Sequence, residues 1–591
     1  MRSARYSPAR AGLGTFGVFL GMAALSCTPT QPQAPVVAPC PSSTPTQAAA
    51  LPTATQPAAA PGADSFLRAP RPKLVLVIAI DQFRADTLTK LDAYFSPNGF
   101  KRLLREGATM TGHYGHYVTY TGPGHALMLS GSYPYVNGIA ANKFFNTESG
   151  RSEAMVFDAG SQILGQKTDA DMDVSPRNFI GSTVGDELIM ATGGQAKTIA
   201  LATKGRGAIL MGGRLAKTYF MNDDNGEMTS STYYMKTLPP WAAQWNSKKV
   251  ADSYFGKTWD RMAPIQAYAT AMPDDASNEG GGKGLGKTFP HTINGKLKAP
   301  GADFYEALCM SPFGNDYEFS FAQAALEGEN LGGRGVTDLL AISLSATDLA
   351  GHDFGPFSQE VQDLMLRTDK QISDFLDYVY GKLGKDNVLV MITGDHGATP
   401  VPEQMASLGF EAARIKKKVI KETVDAALKK KFGGDKWVVA LEDPHIFLDR
   451  KHIADKKLDA AEVQRVAGEA AASIKGFGGY FTRTQLINGE IPNTELGKSI
   501  MRSYHQARGG DVVMWTLPFY FWGKYGEKDV GSTHGTWYRY DSEVPVLISG
   551  SAIKPGRYPT HEMVDIAPTL SHILGISAPA GSEGKLIPIL K

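Results

Sequence analysis

Three aliphatic runs in this chain end in side chains that can bind a metal. Lys73-Leu-Val-Leu-Val-Ile-Ala-Ile80 stops at Asp81. Leu339 to Leu344 is followed by Thr347-Asp348-Leu-Ala-Gly-His352, and Val388 to Ile392 runs into Thr393-Gly-Asp395-His396-Gly. A lone aspartate after a strand is ordinarily a turn or a helix cap, and a lone Asp-His-Gly is often a turn. The informative feature is the recurrence: carboxylate and imidazole donors of the kind that suits zinc. Only Cys27, Cys40 and Cys309 are present, which excludes a cysteine-rich metal site or a disulfide scaffold. A nucleophile is offered by Tyr117-Val-Thr-Tyr-Thr121-Gly-Pro123-Gly-His125. Strand-forming residues lead into Thr121 there, and Pro123 suits the first turn of a helix. Free backbone N–H groups and the helix dipole would favour an anion at Thr121. A plain threonine N-cap is the simpler alternative. A threonine hydroxyl ionises near neutral pH only with help such as a metal.

The elements that must position these groups follow from the pattern. The runs are aliphatic throughout, as in strands of a parallel sheet buried on both faces. From Ser358 to Leu383, Val361, Leu364, Met365, Ile372, Phe375, Leu376, Val379 and Leu383 fall at helical spacing, with Ser358 as N-cap. Strand, helix, strand makes a right-handed crossover, and open α/β sheets bind ligands outside the carboxyl ends of their strands. Thr198 to Ala202 reads as another buried strand, followed by Thr203-Lys204-Gly-Arg206. The expectation is an α/β fold, a doubly wound, mostly parallel sheet flanked by helices.

The 591 residues are 42% hydrophobic and 20% charged, ample for a core, and the net charge is +1. Without a whole-chain basic field, nucleic acid is not expected as a partner. Arg2, Arg5 and Arg10 precede an apolar run from Ala11 to Leu25. That run is shorter than the about 20 residues a spanning helix needs, so residues 1–26 read as a signal peptide. The run ends Ala24-Leu25-Ser26-Cys27, which resembles a bacterial lipobox with leucine one place off. Acylation of Cys27, giving a lipid anchor, and ordinary cleavage are both open. Residues 27–70 are dominated by Pro, Ala, Thr, Gln and Ser, the composition of an extended tether. The expected location is outside the cytoplasm, periplasmic or anchored at an outer membrane.

Taken together, Ile-Asp81-Gln, Thr121-Gly-Pro-Gly-His, Thr347-Asp348-x-x-Gly-His352, Thr393-Gly-Asp395-His396-Gly and Gly531-Ser-Thr-His534-Gly resemble the alkaline phosphatase superfamily. The resemblance is closest to its nucleotide pyrophosphatase/phosphodiesterase-like branch, and it extends from about Lys73 to Gly575. It implies an alkaline phosphatase-like domain over residues 71–591, with capping insertions at about 207–335 and 400–530. It also implies two Zn²⁺ ions, one held by Asp81, Thr121, Asp395 and His396, the other by Asp348, His352 and His534. Sulfatases of the superfamily carry an oxidised cysteine or serine with an arginine four residues on, where this chain has Thr121 and His125. Cofactor-independent phosphoglycerate mutases use serine.

The remaining choice is between monoester and diester. Asn142 lies 21 residues past Thr121, and with Lys204 and Arg206 it is similar to the phosphoryl-binding set of threonine-using, phosphate-irrepressible alkaline phosphatases. Charge supports that choice. Two zinc ions, three aspartates and a threonine alkoxide sum to zero, so a monoester dianion needs the two cations that Lys204 and Arg206 supply. A diester carries only one negative charge and a second substituent where those side chains would reach. The expected enzyme hydrolyses small phosphate monoesters through a phosphothreonine and is a monomer. The alternatives are a phosphodiesterase or nucleotide pyrophosphatase on the same scaffold and, in another class, a non-catalytic metal-binding lipoprotein. Mass spectrometry of the mature N-terminus tests the anchor: acylation predicts a lipid-shifted peptide beginning at Cys27, and an unmodified peptide spanning Cys27 would exclude it.

Overall fold

A computed structural model describes residues 71–591. The expected signal peptide (1–26), Cys27 and the expected tether (27–70) therefore lie outside the described residues.

Strand β1 (Leu74–Ile80) is buried at every position. The chain then supplies β2 (Ala108–His113), β3 (Thr198–Ala202), β4 (Lys217–Met221), β5 (Met228–Thr229), β6 (Asp338–Leu344) and β7 (Val388–Thr393). These strands belong to one ten-stranded sheet. At its centre β1 lies between β6 and β7 and is parallel to both; β3 and then β4 continue the parallel order beyond β6. The other side turns antiparallel beyond β7, through a strand at Glu543–Ser549 to β2. Register fixes the site edge. Ile80 pairs with Leu344 and Ala79 with Thr393, so Asp81, Asp348 and Asp395 all emerge just past the carboxyl ends of neighbouring strands.

Alternation along β1 feeds two apolar layers. Leu74, Leu76, Ile78 and Ile80 join one core with Leu340, Ile342 and Leu344, and Val75, Val77 and Ala79 join the other with Leu339, Ala341 and Met391. Helix α1 (Thr121–Ser130) packs on the second face. Next in order come α2 (Gly205–Gly212) and α3 (Ala346–Phe354). The long α4 (Gln359–Leu383) covers the first face through Leu364, Ile372, Phe375, Leu376 and Val379. Ser358 caps α4, its side chain accepting from Val361 N at 3.2 Å. The expected doubly wound sheet is the fold observed.

Between positions 207 and 335, β4 and β5 extend the central sheet, and Trp245 and Trp259 pack into the main core. Between 400 and 530 the chain forms a separate four-stranded antiparallel sheet with its own apolar cluster, including Ile420, Val424, Val463 and Trp437. Lys416 precedes the helix Lys417–Phe432 of that layer and pairs with Asp529 at 3.2 Å.

Helix α1 meets the end of β7 at a glycine. A Cβ on Gly124 would lie 2.2 Å from the Asp395 carbonyl oxygen, so backbone contact leaves no room for a side chain. Gly124→Ala should destabilise the protein by about 1–3 kcal/mol, the usual cost of overpacking, and lower kcat/KM with it. Urea unfolding and steady-state kinetics check this, and unchanged values on both would refute the close approach.

Candidate active site

Asp81, Thr121, Asp348, His352, Asp395, His396 and His534 meet at the carboxyl edge of the sheet. The first group closes around the Nε2 atom of His396. Asp81 Oδ1 is 3.3 Å away, Asp395 Oδ2 3.3 Å and Thr121 Oγ1 3.4 Å. Thr121 is the first residue of α1, with Tyr120 as its N-cap. The second group closes around Asp348 Oδ1, which lies 3.3 Å from the Nε2 atoms of both His352 and His534. The rings of His396 and His534 stack at 3.5 Å between centroids, bringing the two groups side by side.

Whether these residues fit metal ions follows from their protons. His352 Nδ1 lies 2.9 Å from Ser532 O, His396 Nδ1 2.9 Å from Gly397 O, and His534 Nδ1 2.7 Å from Thr119 O. A carbonyl oxygen only accepts, so each Nδ1 carries the proton. In a neutral ring Nε2 then presents a lone pair. Burial pushes His352 down to about 3 and His396 to about 4, so these two rings are neutral at pH 7. Lone pairs facing carboxylate oxygens repel unless a cation lies between them. The buried Asp81 Oδ1 lacks a hydrogen-bond partner, as a cation-facing atom would. Burial and the charges of Asp348 and Asp395 also push Asp81 above the usual carboxylate range. The donor set, oxygen and imidazole without thiolate, suits zinc.

The sequence-predicted phosphoryl ligands border the same centre. Asn142 Oδ1 accepts from Gly122 N at 2.7 Å, directly after Thr121, so its Nδ2 group remains to donate. Lys204 Nζ reaches Asp81 Oδ2 at 2.7 Å and also contacts Asp348. Burial opposes the lysine's charge, but the carboxylates hold the ammonium above its usual range. Arg206 engages Asp173 through Nε at 3.1 Å, leaving its terminal nitrogens for another partner. A cavity of about 300 Å³ opens beside Lys204 and Arg206 and is lined also by Asp173, Phe220, Asp223 and Met310.

Several neighbours were not assigned roles from sequence. Gln82 donates its backbone N–H to Asp395 Oδ1 at 3.1 Å and its side-chain amide to Asp348 Oδ1 at 3.0 Å, tying the two groups together from one residue at φ 65°. Its place directly after Asp81 was the available signal. His125 lies one turn beyond Thr121, with Nδ1 2.9 Å from Thr121 O and 3.1 Å from Asp395 Oδ2. Tyr525, from the second excursion, stacks on His352 at 4.2 Å, with Lys528 Nζ 4.7 Å and Lys524 Nζ 5.5 Å from its ring centre.

Residues 75–537 match the family described as type I phosphodiesterase / nucleotide pyrophosphatase. The chain belongs to that family, within the alkaline phosphatase superfamily. It is 35% identical over 521 residues to a protein of Myroides odoratus named calcium-transporting ATPase, covering 87% of this chain and 94% of that one. It is also 35% identical to alkaline phosphatase PhoV of Synechococcus elongatus, covering 88% and 92%. The crystal structure of wild-type alkaline phosphatase PafA superposes with a TM-score of 0.82 at 32% identity, covering 88% of this chain and 99% of that one. The chain thus shares the PafA fold. Among the described residues no helix is long and apolar enough to cross a membrane.

Gln82→Asn keeps a residue that tolerates positive φ but is too short to reach Asp348 as Gln82 does. Loss of such an outer contact should weaken metal binding about 10–100-fold, measured by competition with a chelating dye. Affinity equal to wild type would refute this role for Gln82.

Proposed function

We propose that this chain is an alkaline phosphatase that hydrolyses small phosphate monoesters with Thr121 as the nucleophile. The observation that carries the reading is the Thr121 hydroxyl inside the first carboxylate–imidazole group, 3.4 Å from His396 Nε2. A purely structural metal site has no need of a hydroxyl at a helix N-terminus beside its ligands. The relatives named alkaline phosphatase support the choice of reaction.

In this proposal Asp81, Thr121, Asp395 and His396 hold one Zn²⁺ and Asp348, His352 and His534 the other. When bound, two such ions supply Lewis acidity to both the attacking and the departing oxygen. Thr121 Oγ bonds to phosphorus in line with the ester oxygen, whose bond breaks as the alcohol leaves, giving phosphothreonine. Water then adds to phosphorus from the vacated side, releasing phosphate and restoring the threonine hydroxyl. Asn142 Nδ2, Lys204 and the free end of Arg206 hold the non-bridging oxygens, where transition-state charge collects. The bond from Gly122 N–H fixes the Asn142 amide in the required orientation. The proposal also includes export, supported by the basic and apolar N-terminal pattern, the Pro- and Ala-rich tether that follows and a catalytic domain beginning near residue 71.

Hydrolysis of p-nitrophenyl phosphate against bis-p-nitrophenyl phosphate separates this reading from a phosphodiesterase, and the monoester should be strongly preferred. Thr121→Ala should abolish turnover of both while the protein retains most of its zinc. Replacing Lys204 and Arg206 together by Ala should cost about 10²–10³-fold on the monoester, as expected for lost transition-state donors, and far less on the diester. Equal losses on both substrates would contradict their proposed role.

A further inference from the structure

The loops that carry His396 and His534 meet on one buried carboxylate, Asp541, which lies outside both candidate metal groups. Asp541 sits in the short helix Arg539–Ser542, just ahead of the antiparallel strand Glu543–Ser549, and is 0% exposed. Thr399, three residues past His396, donates from Oγ1 between its two oxygens, 3.0 Å from each. Thr536, two residues past His534, donates to Oδ2 through N at 3.0 Å and through Oγ1 at 2.6 Å. The main chain extends the link: Asp541 O accepts from Gly397 N at 2.7 Å and Tyr540 O from Ala398 N at 2.8 Å. A Cβ on Gly397 would lie 2.1 Å from Tyr540 O, so glycine lets the two backbones touch.

These bonds act on the groups that orient the two rings. The Gly397–Ala398 peptide takes the His396 Nδ1 proton on its oxygen at 2.9 Å and gives its own N–H to Tyr540 O. Thr119 O takes the His534 Nδ1 proton at 2.7 Å, and Thr119 Oγ1 donates to Thr536 O at 2.7 Å. Thr536, held by Asp541, therefore holds the residue that orients His534. The two loops also join directly, through Thr399 N to Thr533 O at 2.9 Å.

We propose that Asp541 is a positioning residue that sets His396 and His534 as a pair, one candidate ligand from each metal group. The proposal rests on the two-metal reading of the site. Burial pushes the Asp541 carboxyl up to about 6, so at pH 8 it is ionised. An ionised carboxylate only accepts, which fixes the direction of both threonine hydroxyls, and bonds to a charged acceptor are the stronger kind. Burying a charge is costly, and an apolar side chain would fill the same space without that cost. What the carboxylate adds is simultaneous acceptance from two loops, at the spacing where the His396 and His534 rings stack 3.5 Å apart.

The test is zinc affinity of the full-length protein, measured by competition with a chelating dye, with thermal unfolding of the metal-free form alongside. Asp541→Ala removes every side-chain acceptor and should weaken zinc binding about 10–100-fold, as loss of an outer partner does. Asp541→Asn keeps an oxygen for Thr536 and can donate to Thr399, so it should recover most of that affinity. Thr399→Val leaves Asp541 in place and should weaken zinc binding about 10-fold; this arm stands even where Asp541→Ala does not fold. A residue that only stabilised the fold would lower Tm and leave the zinc affinity of the folded protein unchanged. Wild-type affinity in folded Asp541→Ala or in Thr399→Val would overturn the proposal, as would Asp541→Asn binding zinc no better than Asp541→Ala. Wild-type protein that does not bind two zinc ions would defeat the two-metal reading, and the proposal with it.

Discussion

The site depends on three imidazoles whose protons are committed elsewhere. Backbone carbonyls of Ser532, Gly397 and Thr119 take the Nδ1 protons of His352, His396 and His534. Burial keeps the His352 and His396 rings neutral, so their Nε2 lone pairs turn toward Asp348, Asp81 and Asp395. Such a cluster is electrostatically incomplete as protein alone, and cations complete it. Lys204, reaching Asp81 and Asp348, shows how strongly these carboxylates attract positive charge.

The fold makes this arrangement cheap to hold. A sheet buried on both faces leaves its strands little freedom to slide, and the pairing of Ile80 with Leu344 and of Ala79 with Thr393 levels the strand ends. Side chains leaving those ends converge without long, floppy loops. Helix α1 is buried along its whole length, so Thr121 is fixed by packing before any substrate arrives. The second excursion then closes one side: Tyr525 lies flat on His352, and Asp443, pushed up to about 7 by burial, lies near Tyr120, the residue before the proposed nucleophile. The excursion thereby borders the site through Tyr525 while keeping an apolar core of its own.

Much of this was legible in the sequence, for physical reasons. Doubly buried strands must be continuous aliphatic runs, so β1, β3, β6 and β7 stood out within a residue or two, as did the capped helix from Ser358. Donor residues directly after such runs marked the edge where ligands gather. Gln82 was harder because its role depends on Asp348, 266 positions away and brought near only by strand pairing. Asp541 was illegible altogether: an aspartate just ahead of a strand looks like a turn residue until folding buries it. The short strands β4 and β5 carried too little pattern to be placed in the central sheet.

Anomalous X-ray diffraction at the zinc edge, on crystals of the purified protein, tests the central claim most directly. The account predicts two strong peaks about 4 Å apart, one bounded by Asp81, Thr121, Asp395 and His396 and the other by Asp348, His352 and His534. A single peak, or zinc bound away from Thr121, would contradict it.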